Sequence, residues 1–401
     1  MKGTLRGFVH ALSINQLDLA IMPIFLYFLG MKIGFDAKRA FFNRTGLGNY
    51  SRSTITGLSQ FFPEHEYHLY TPKPKKSKQF HTADNLLIQG PDSAFYAKFS
   101  SFWRTHGIPS QLRKDGIDLF HGLSNEIPYG IETTGIPSVA TICDIIFIHH
   151  PHLYPAIDRY VYRKKLENAI AHTSKIITIS KQTRDDLVLT CNVSEDKISV
   201  VYLACASLYW ESVAENTRLK TIKKYQVPDT FILNVGTIER RKNILSIVQA
   251  MHKKKIDMPL VVIGRATPYL EEVESYIEQN GMKNIFFLHD VPLEDLPSFY
   301  QQAKLFVYPS IFEGFGMPIL EAMVSRTPVI TTRGGCFEEA GGPSTVYIDP
   351  ENSDEIGERM EFLLDNDLLC DEMRRNGLLY AEKFKLENIA TATMSVYKEI
   401  V

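Results

Sequence analysis

The sequence has almost no excess of charge of either sign and few cysteines, and these two shortages exclude several classes of protein. Its 401 residues include 44 lysines and arginines and 46 aspartates and glutamates, for a formal net charge of −2. A balance of this kind gives no electrostatic reason to expect nucleic acid as a partner. The five cysteines are odd in number and contain no C-x-x-C pair. This argues against a disulfide framework or a zinc site and fits a reducing, cytoplasmic environment.

Long hydrophobic runs are also scarce. The apolar segment Leu19–Gly30 (LAIMPIFLYFLG) is only 12 residues long and contains Pro23, whereas a membrane-spanning helix needs about 20 apolar residues. The small-residue cleavage site of a signal peptide is not evident. Two interpretations stay open: residues 1–30 form an extension that touches a membrane, or the natural chain starts at Met31.

The features of a metal site are missing as well. No D-x-D element stands at the end of a predicted strand to hold a divalent ion. His149, His150 and His152 lack i,i+4 spacing and neighbouring acids, so we interpret them as loop residues. We therefore expect no metal ion and no other cofactor.

What the sequence does contain is a regular alternation of short apolar runs with stretches of helical period. Thirteen runs have the length and composition of strands, seven before residue 206 and six after residue 228. Such alternation is typical of parallel sheets covered by helices on both faces. Two series of this kind predict an α/β protein with two doubly wound, Rossmann-like domains that face each other across a cleft.

The polar stretch 206–228 separates the two series of strands. We place a first domain at 31–205 and a second domain at 206–385. The last segment, 386–401, is expected to form a helix that packs back on the first domain.

The most informative stretch is Glu313–Glu321, EGFGMPILE, directly after the apolar run Leu305–Ser310. Its glycines and Pro318 interrupt a continuous helix, so the expected order is strand, glycine turn and a helix that begins near Met317. Free backbone N–H groups at such a helix start bind anions, above all phosphate. Carboxylates beside them suit hydroxyl-rich groups. The stretch therefore indicates a ligand that carries both phosphate and sugar, unless the glutamates flank the turn by chance.

A basic cluster follows the first strand of the second domain. In VGTIERRKN, Arg240, Arg241 and Lys242 stand where a helix is about to begin, and cations at that end oppose the helix dipole. An anion held between them would remove this conflict, and guanidinium together with ammonium suits a diphosphate. The alternative is a solvated basic helix start.

A glycine-containing segment, Thr45–Asn49 (TGLGN), follows the first strand after a polar loop. It lacks the third glycine and the position of a nicotinamide-binding fingerprint, so we exclude that site. Either the segment is a flexible loop, or Gly46 or Gly48 lets the backbone approach a phosphate across the cleft.

Together these segments resemble the GT4 family of retaining glycosyltransferases, which have the GT-B fold. The resemblance extends from Met31 to about Lys398 and is most specific from Val235 to Pro350. In that part GTIERRKN, the E-x7-E pair, PILEAM, TPVI, FEEAGG and YIDP all match. Within the family, the chain is most similar to members that build bacterial surface polysaccharides such as lipopolysaccharide, often from GDP-mannose.

The resemblance implies a role for each matching residue. Glu321 would hydrogen-bond the ribose of the nucleotide, and Glu313 would contact the hydroxyls of the donor sugar in the catalytic centre. Arg241 and Lys242 would neutralise the diphosphate in place of a metal ion. The remaining donor contacts would come from the backbone of Gly46 or Gly48 in the first domain and of Gly314, Phe315, Gly316 and Met317 in the second.

One position departs from the family pattern. Relatives commonly read TIHD where this chain has TICD, so Cys143 replaces the usual histidine, while Asp144 remains at a strand end that faces the cleft. His121, at the end of the preceding strand, either serves the acceptor in catalysis or is a satisfied core histidine. The missing histidine keeps a second function open, a catalytically silent GT-B protein that binds a nucleotide sugar or a glycan.

The implied reaction moves a sugar from GDP-mannose or a UDP-sugar to a glycan or a lipid-linked acceptor. Two carboxylates would also suit a glycoside hydrolase, but such enzymes need no diphosphate pocket. The basic runs Pro72–Lys78 and Arg159–Lys165 either approach anionic lipid headgroups or are ordinary solvated surface. We expect a cytoplasmic enzyme with peripheral contact to the membrane.

Overall fold

The computed structural model of the protein describes residues 30–43, 46–74 and 83–401. The interpretations given for residues 1–29 concern a segment outside this part of the chain, and so does most of the basic run Pro72–Lys78. The described residues contain two parallel sheets, and their strands coincide with all thirteen apolar runs of the sequence.

The first sheet has seven strands. They are β1 Lys32–Asp36, β2 Glu66–Tyr70, β3 Leu86–Gln89, β4 Leu119–Gly122, β5 Ser138–Ile142, β6 Lys175–Thr178 and β7 Ile198–Val200. Their order in the sheet is β3-β2-β1-β4-β5-β6-β7, and every neighbouring pair is parallel. The strand order reverses between β1 and β4, and such a switch point leaves a crevice at the carboxyl ends of the strands.

The second sheet repeats this topology with six strands. They are β8 Ile232–Val235, β9 Leu260–Ile263, β10 Ile285–Leu288, β11 Leu305–Tyr308, β12 Val329–Thr332 and β13 Val346–Ile348. The order is β10-β9-β8-β11-β12-β13, again entirely parallel. The switch point lies between β8 and β11, the two strands that precede the basic cluster and the EGFG turn.

Helices connect the strands, as the alternation in the sequence predicts. The α-helices of the described residues are Lys38–Phe42, Gly46–Phe61, Ala94–Lys98, Ser100–Phe102, Ile108–Asp115, Ile146–His149, Ala156–His172, Lys181–Cys191, Ser207–Trp210, Glu215–Lys224, Ile244–Lys254, Tyr269–Gln279, Leu296–Gln302, Met317–Val324, Gly335–Gly341, Ser353–Leu364, Asp367–Ala381 and Leu386–Lys398. A π-helical turn at Trp103–Gly107 and a 3-10 turn at Arg240–Lys242 lie near the crevice.

The packing of β9 explains why its sequence is a continuous apolar run. All four residues of this strand are buried, and consecutive side chains of a strand point to opposite faces of the sheet. Val261 accordingly belongs to one hydrophobic core and Val262 to another. A strand covered on both faces has no polar side, so parallel pairing follows from the composition.

The final helix, Leu386–Lys398, packs against the helix Gly46–Phe61 of the first domain. Gly57 permits this approach, since a Cβ at that position would lie 2.9 Å from Leu386 Cδ1. Tyr397 is fully buried in the core around the first sheet. The end of the chain therefore completes the core of the domain that its beginning forms.

The two domains meet at two helix N-termini that cap each other. Glu339 of the second domain accepts hydrogen bonds from the backbone N–H groups of Lys181 at 2.7 Å and Gln182 at 3.0 Å. The side-chain oxygen of Gln182 accepts in turn from the N–H of Cys336 at 2.7 Å. Each domain thus satisfies orphan donors at a helix start of the other domain.

Candidate active site

The EGFG turn joins β11 to the helix Met317–Val324, which begins at the residue that the sequence predicts. Gly316 has a φ of +100°, a backbone conformation that favours glycine. Pro318 lies in the first helical turn, where its missing N–H is not needed. Pro318 has no N–H and the N–H of Ile319 donates to the Gly316 carbonyl at 3.0 Å, so the anion-binding capacity of this helix start rests on the N–H of Met317 and on the turn before it.

Glu313 is the centre of a cluster of charges. Its Oε2 accepts from Arg241 Nη1 at 2.8 Å, and Lys242 Nζ contacts its Oε1. The same Oε1 accepts hydrogen bonds from Ser310 Oγ at 2.6 Å and from the hydroxyl of Tyr308 at 2.9 Å. The structure thus brings together the glutamate and the two cations that the sequence assigns to one ligand, and it adds a tyrosine that sequence reasoning missed.

The cluster keeps Glu313 ionised. Burial alone would raise the pKa of this carboxyl, but the charges of Lys242 and Arg241 outweigh burial and lower the pKa to about 2. A carboxylate of so low a pKa is a weak proton acceptor near neutral pH. Because three donors crowd Oε1, it is Oε2 that retains a lone pair able to accept a hydrogen bond from a ligand.

Arg241 and Lys242 retain capacity for a ligand. Two of the three N–H groups of Lys242 contact Glu313 and Tyr308, and the third has no partner among the described residues. Arg241 also donates to Glu239 at 2.6 Å. Since Glu239 is 36% exposed and Glu313 only 12%, an anionic ligand would displace Glu239 from Arg241 more easily than it would displace Glu313.

Arg240 lies outside this cluster. Its side chain is 68% exposed, pairs with Glu272 and lies over the ring of Tyr269. The 3-10 turn therefore points one cation of the basic run to solvent and the next two to the crevice.

Glu321 lies in the middle of the helix that follows the turn. Its Oε2 accepts a hydrogen bond from Tyr300 at 2.8 Å, and the ring of Tyr209 packs edge-on against Tyr300 at 5.6 Å. Burial raises the pKa of Glu321 to about 7, although the hydrogen bond from Tyr300 opposes this. A carboxyl in this range changes its charge near neutral pH, and hydroxyl donors from a ligand would favour its ionised form.

Asp144 and Cys143 lie opposite the EGFG turn, on the other domain. A Cβ on Gly314 would come within 2.5 Å of the Cys143 carbonyl oxygen and 3.3 Å of Asp144 Cβ. Burial raises the pKa of the Cys143 thiol, so this residue stays protonated and does not replace a histidine as a base. Burial also raises the pKa of Asp144, and Arg241 opposes that shift. Asp144 therefore lies within electrostatic range of the cluster of Glu313, Arg241 and Lys242.

A cavity of about 230 Å³ opens beside Asp144 on the first domain. Its walls combine carboxylates, cations and phenol rings, among them Arg39, Glu126, Asp144, Tyr154, Tyr162 and Lys165. A concave site with a few convergent polar groups on aromatic walls is typical of small-ligand binding.

A buried chain of charges supports this cavity, and sequence reasoning did not find it. Arg104 binds Asp36 through Nη2 at 2.6 Å and also contacts Glu126. Lys165 binds the second oxygen of Glu126 at 2.6 Å. Asp36, Arg104 and Glu126 are each more than nine-tenths buried. In the sequence, the only indication of this network was Asp36 at the end of β1.

Replacing Arg104 by methionine is expected to destabilise the first domain by about 3–5 kcal/mol, because two buried carboxylates lose their shared partner. Urea unfolding followed by circular dichroism measures this. As a control, Lys114→Met removes an exposed partner of Asp92 and should change the midpoint little. Equal midpoints for the two variants would contradict the structural role of the buried network.

The structure corrects the expectation that His121 serves the acceptor. The residue is fully buried; its Nδ1 bonds the hydroxyl of Tyr397 at 2.6 Å and its Nε2 bonds Thr141 Oγ1 at 2.8 Å. Burial lowers its pKa to about 3, so the ring is neutral. With both nitrogens engaged inside the core, His121 holds the last helix and does not reach a substrate.

The two glycines of TGLGN differ in their surroundings. A Cβ on Gly48 would lie 1.9 Å from the carbonyl oxygen of Asn43, whereas a Cβ on Gly46 would meet none of the described residues within 4 Å. Both residues lie in the helix Gly46–Phe61, not in a loop. Gly48 is thus required by local packing, and Gly46, at an exposed helix end, is the one free to approach a phosphate.

We expect Gly48→Ala to destabilise the protein by about 1–3 kcal/mol, since the new methyl group forces the backbone near Asn43 to move. Gly46→Ala should leave the unfolding temperature unchanged or slightly raised, because alanine favours the helix. Thermal unfolding compares them, and a nucleotide titration of Gly46→Ala reports whether that position approaches the ligand. Equal destabilisation by both substitutions would contradict the packing argument.

Across the described ranges, no group of three or more His, Cys, Asp or Glu side chains is arranged to hold a metal ion. His149 pairs with Asp186 at 3.5 Å, and the ring of His150 meets that of Phe312. In the same ranges, no helix combines the length and the apolar composition needed to cross a bilayer.

Two protein-family models match the chain. The model described as Glycosyltransferase Family 4 matches residues 44–204, and the model described as glycosyl transferases group 1 matches residues 217–379. The first match covers the domain of the cavity, and the second covers the basic cluster and the EGFG turn.

Curated relatives and solved structures agree with the models. The O-antigen chain mannosyltransferase B of Escherichia coli is 32% identical over 70% of this chain and 74% of its own length. The O-antigen chain mannosyltransferase RfbU of Salmonella typhimurium is 29% identical over 53% of this chain and 56% of its own length.

Among solved structures, Anabaena HepE in complex with UDP and glucose has a TM-score of 0.69 at 15% identity. The superposition covers 92% of this chain and 100% of the HepE chain. WaaG, described as a glycosyltransferase involved in lipopolysaccharide biosynthesis, has a TM-score of 0.65 at 15% identity and covers 91% and 99% of the two chains. At these identities the likeness establishes the GT-B fold. The site geometry, the two family models and the E. coli relative together identify the chain as a glycosyltransferase of the GT4 family.

Proposed function

We propose that the protein transfers a sugar from a nucleoside-diphosphate donor, GDP-mannose or else a UDP-sugar, to a glycan acceptor with retention of configuration. The observation that carries this proposal is the position of the Arg241–Lys242–Glu313 cluster opposite Asp144, which lines the cavity of the first domain. One side suits a diphosphate and the other suits a hydroxyl-bearing acceptor. The mannosyltransferase activity named for the E. coli relative supports the choice of donor sugar.

In this proposal the bond between the sugar C1 and the diphosphate oxygen breaks, and the acceptor hydroxyl oxygen bonds to C1 from the same face. The hydroxyl proton passes to a diphosphate oxygen, so the products are a glycoside and a nucleoside diphosphate. Arg241 and Lys242 stabilise the charge that develops on the leaving group, which is the step where positioned cations accelerate a reaction most. They take the place of a metal ion, and Glu313 holds them in position.

The cavity beside Asp144 supports a neutral sugar as the part of the acceptor that is bound. Carboxylates such as Asp144 and Glu126 accept hydrogen bonds from sugar hydroxyls, and phenol rings such as those of Tyr154 and Tyr162 cover its apolar face. We propose a glycan or lipid-linked glycan as the whole acceptor. The protein would then act in the cytoplasm, in peripheral contact with the membrane where cell-surface polysaccharide is built.

A donor screen tests this function. Purified protein is incubated with GDP-mannose, UDP-glucose and UDP-N-acetylglucosamine, and both the unfolding temperature and the slow hydrolysis of each donor are measured. A bound donor stabilises the folded state by about 2.7 kcal/mol at 100-fold excess over Kd. Proton NMR of the released sugar, recorded before mutarotation, reports whether the anomeric configuration of the donor is retained.

We expect GDP-mannose to give the largest shift and a product of retained configuration. Inverted product would overturn the same-face mechanism, and the absence of any shift would overturn the donor site. Binding without turnover, even with lipid-linked acceptors present, would favour the silent GT-B protein over the enzyme.

A further inference from the structure

We propose that the first domain docks on an anionic membrane through an aromatic ridge, formed by Phe95, Phe99, Phe102 and Tyr129, together with the exposed side of the helix Ala156–His172. The inference rests on the proposed function in one respect only, since a lipid-linked acceptor is presented at a membrane surface. The ridge itself was not apparent from the sequence, which directed attention to basic runs.

The ridge consists of large rings that pack on one another at the surface. Phe95, Phe99 and Phe102 are 58%, 48% and 48% exposed. The Phe95 ring lies 5.1 Å from Phe99 and 6.5 Å from Phe102. His106 then stacks on Phe102 at 4.8 Å and on Tyr129 at 5.4 Å. Contiguous apolar rings of this extent mark an interaction site more often than scattered surface residues do.

The helix Ala156–His172 extends this surface. Ile157 is 78% exposed and Tyr160 is 65% exposed. Asn168 of this helix donates through Nδ2 to the carbonyl oxygen of Ile127 at 3.3 Å, two residues before Tyr129, which places the helix beside the ridge. The combined surface therefore runs from the short helices Ala94–Lys98 and Ser100–Phe102 to this helix.

The charges on this surface favour an anionic lipid bilayer as the occupant. Besides Lys165, which pairs with Glu126 at the cavity, the helix carries the cations Arg159, Arg163 and Lys164 against the two carboxylates Asp158 and Glu167. Lys98 Nζ lies 5.8 Å from the centre of the Phe99 ring. Aromatic rings that alternate with cations match the headgroup region of an anionic bilayer, where rings enter the interface and cations meet phosphates.

The position of the acceptor cavity is where the inference draws on the proposed function. Tyr162 and Lys165 line that cavity, while Tyr160 and Lys164 of the same helix face outward. A glycan seated in the cavity would thus have its lipid end leave next to the ridge. Docking there brings a lipid-linked acceptor and the reaction centre together.

Vesicle flotation tests this inference with the full-length chain. Vesicles of phosphatidylcholine, with and without phosphatidylglycerol, are mixed with wild-type protein, the variant Phe95→Ser/Phe99→Ser/Phe102→Ser and the control Phe362→Ser. Phe362 is 50% exposed on the second domain. We expect wild type and control to float with phosphatidylglycerol vesicles. The affinity of the triple variant for these vesicles should fall at least about tenfold, because serine has no aromatic surface to transfer from water into the bilayer.

Lysine substitutions and added salt complete the test. Lys98→Gln and Lys164→Gln should each weaken binding about fivefold, and added salt should weaken wild-type binding. The nucleotide should raise the unfolding temperature equally in all variants that fold. If the triple variant does not fold, Phe95→Ser alone replaces it.

Flotation of the ridge variants like wild type would overturn the proposal. Failure of wild type to float on either vesicle would overturn it too and favour a protein partner for the ridge. An absent nucleotide response with intact flotation would remove only the donor proposal.

Discussion

Replacing Lys242 by methionine is expected to lower kcat by about 10²- to 10³-fold, the size of loss seen when a positioned donor to developing charge is removed. Lys242 is more than nine-tenths buried, and one of its N–H groups has no partner among the described residues. In the proposed reaction this N–H reaches the departing diphosphate. Initial rates of donor hydrolysis or sugar transfer at saturating donor measure the loss.

The basic run contains its own control for that experiment. Arg240→Met removes a cation two residues away along the same turn, but this side chain points to solvent and pairs with Glu272. It should leave kcat within about twofold of wild type, because exposed pairs contribute little. Similar losses from Lys242→Met and Arg240→Met would mean that general positive charge matters, not the buried cluster.

The second large effect is expected on donor binding. Glu321→Ala should weaken nucleoside-diphosphate affinity by about 10²- to 10³-fold, because hydrogen bonds to a charged acceptor contribute about 1.5–3 kcal/mol each and a ribose offers two hydroxyls. Isothermal titration calorimetry with GDP and UDP gives the affinities. Glu272→Ala, an exposed glutamate in the same domain, is the matched control. Undiminished affinity in Glu321→Ala would remove this residue from the donor site.

The pH dependence of binding provides a separate check on Glu321. Its pKa of about 7 in the free protein means that at pH 6 most molecules carry the protonated form, which accepts ribose hydroxyls poorly. Binding then requires loss of a proton, so affinity should rise roughly tenfold between pH 6 and pH 8 and level off above. Glu321→Gln cannot ionise and should bind with the same weak affinity across this range. A flat profile for wild type would contradict the assignment.

The features that the sequence predicted are those encoded locally. Each strand lies within one of the thirteen strand-like runs of the sequence. The helix start at Met317 follows from a glycine in the left-handed region and a proline one residue into the helix. Glu313, Arg241 and Lys242 stand at the carboxyl ends of strands that are adjacent in the sheet. Once the domain is recognised as doubly wound, their proximity follows from topology.

The features that could not be predicted depend on contacts between distant segments. Arg104 and Asp36 are separated by 68 positions, and His121 and Tyr397 by 276. No periodicity joins such pairs, so the sequence did not reveal the buried ion network and left open whether His121 is catalytic or belongs to the core. The role of Gly48 could not be read from the sequence for the same reason. A glycine that makes room for a carbonyl of its own domain is written in the sequence in the same way as one that approaches a phosphate.

The contact between the last helix and the first domain has a consequence for how the chain is made. A ribosome releases the strands of the first sheet well before it reaches Tyr397, which fills the core around them. At about 5–20 residues per second, the interval from residue 205 to the end of that helix is on the order of ten to forty seconds. During this time the nascent first domain has an open hydrophobic groove, and Nδ1 of His121 lacks its Tyr397 partner, so the final consolidation of the domain is delayed until synthesis ends.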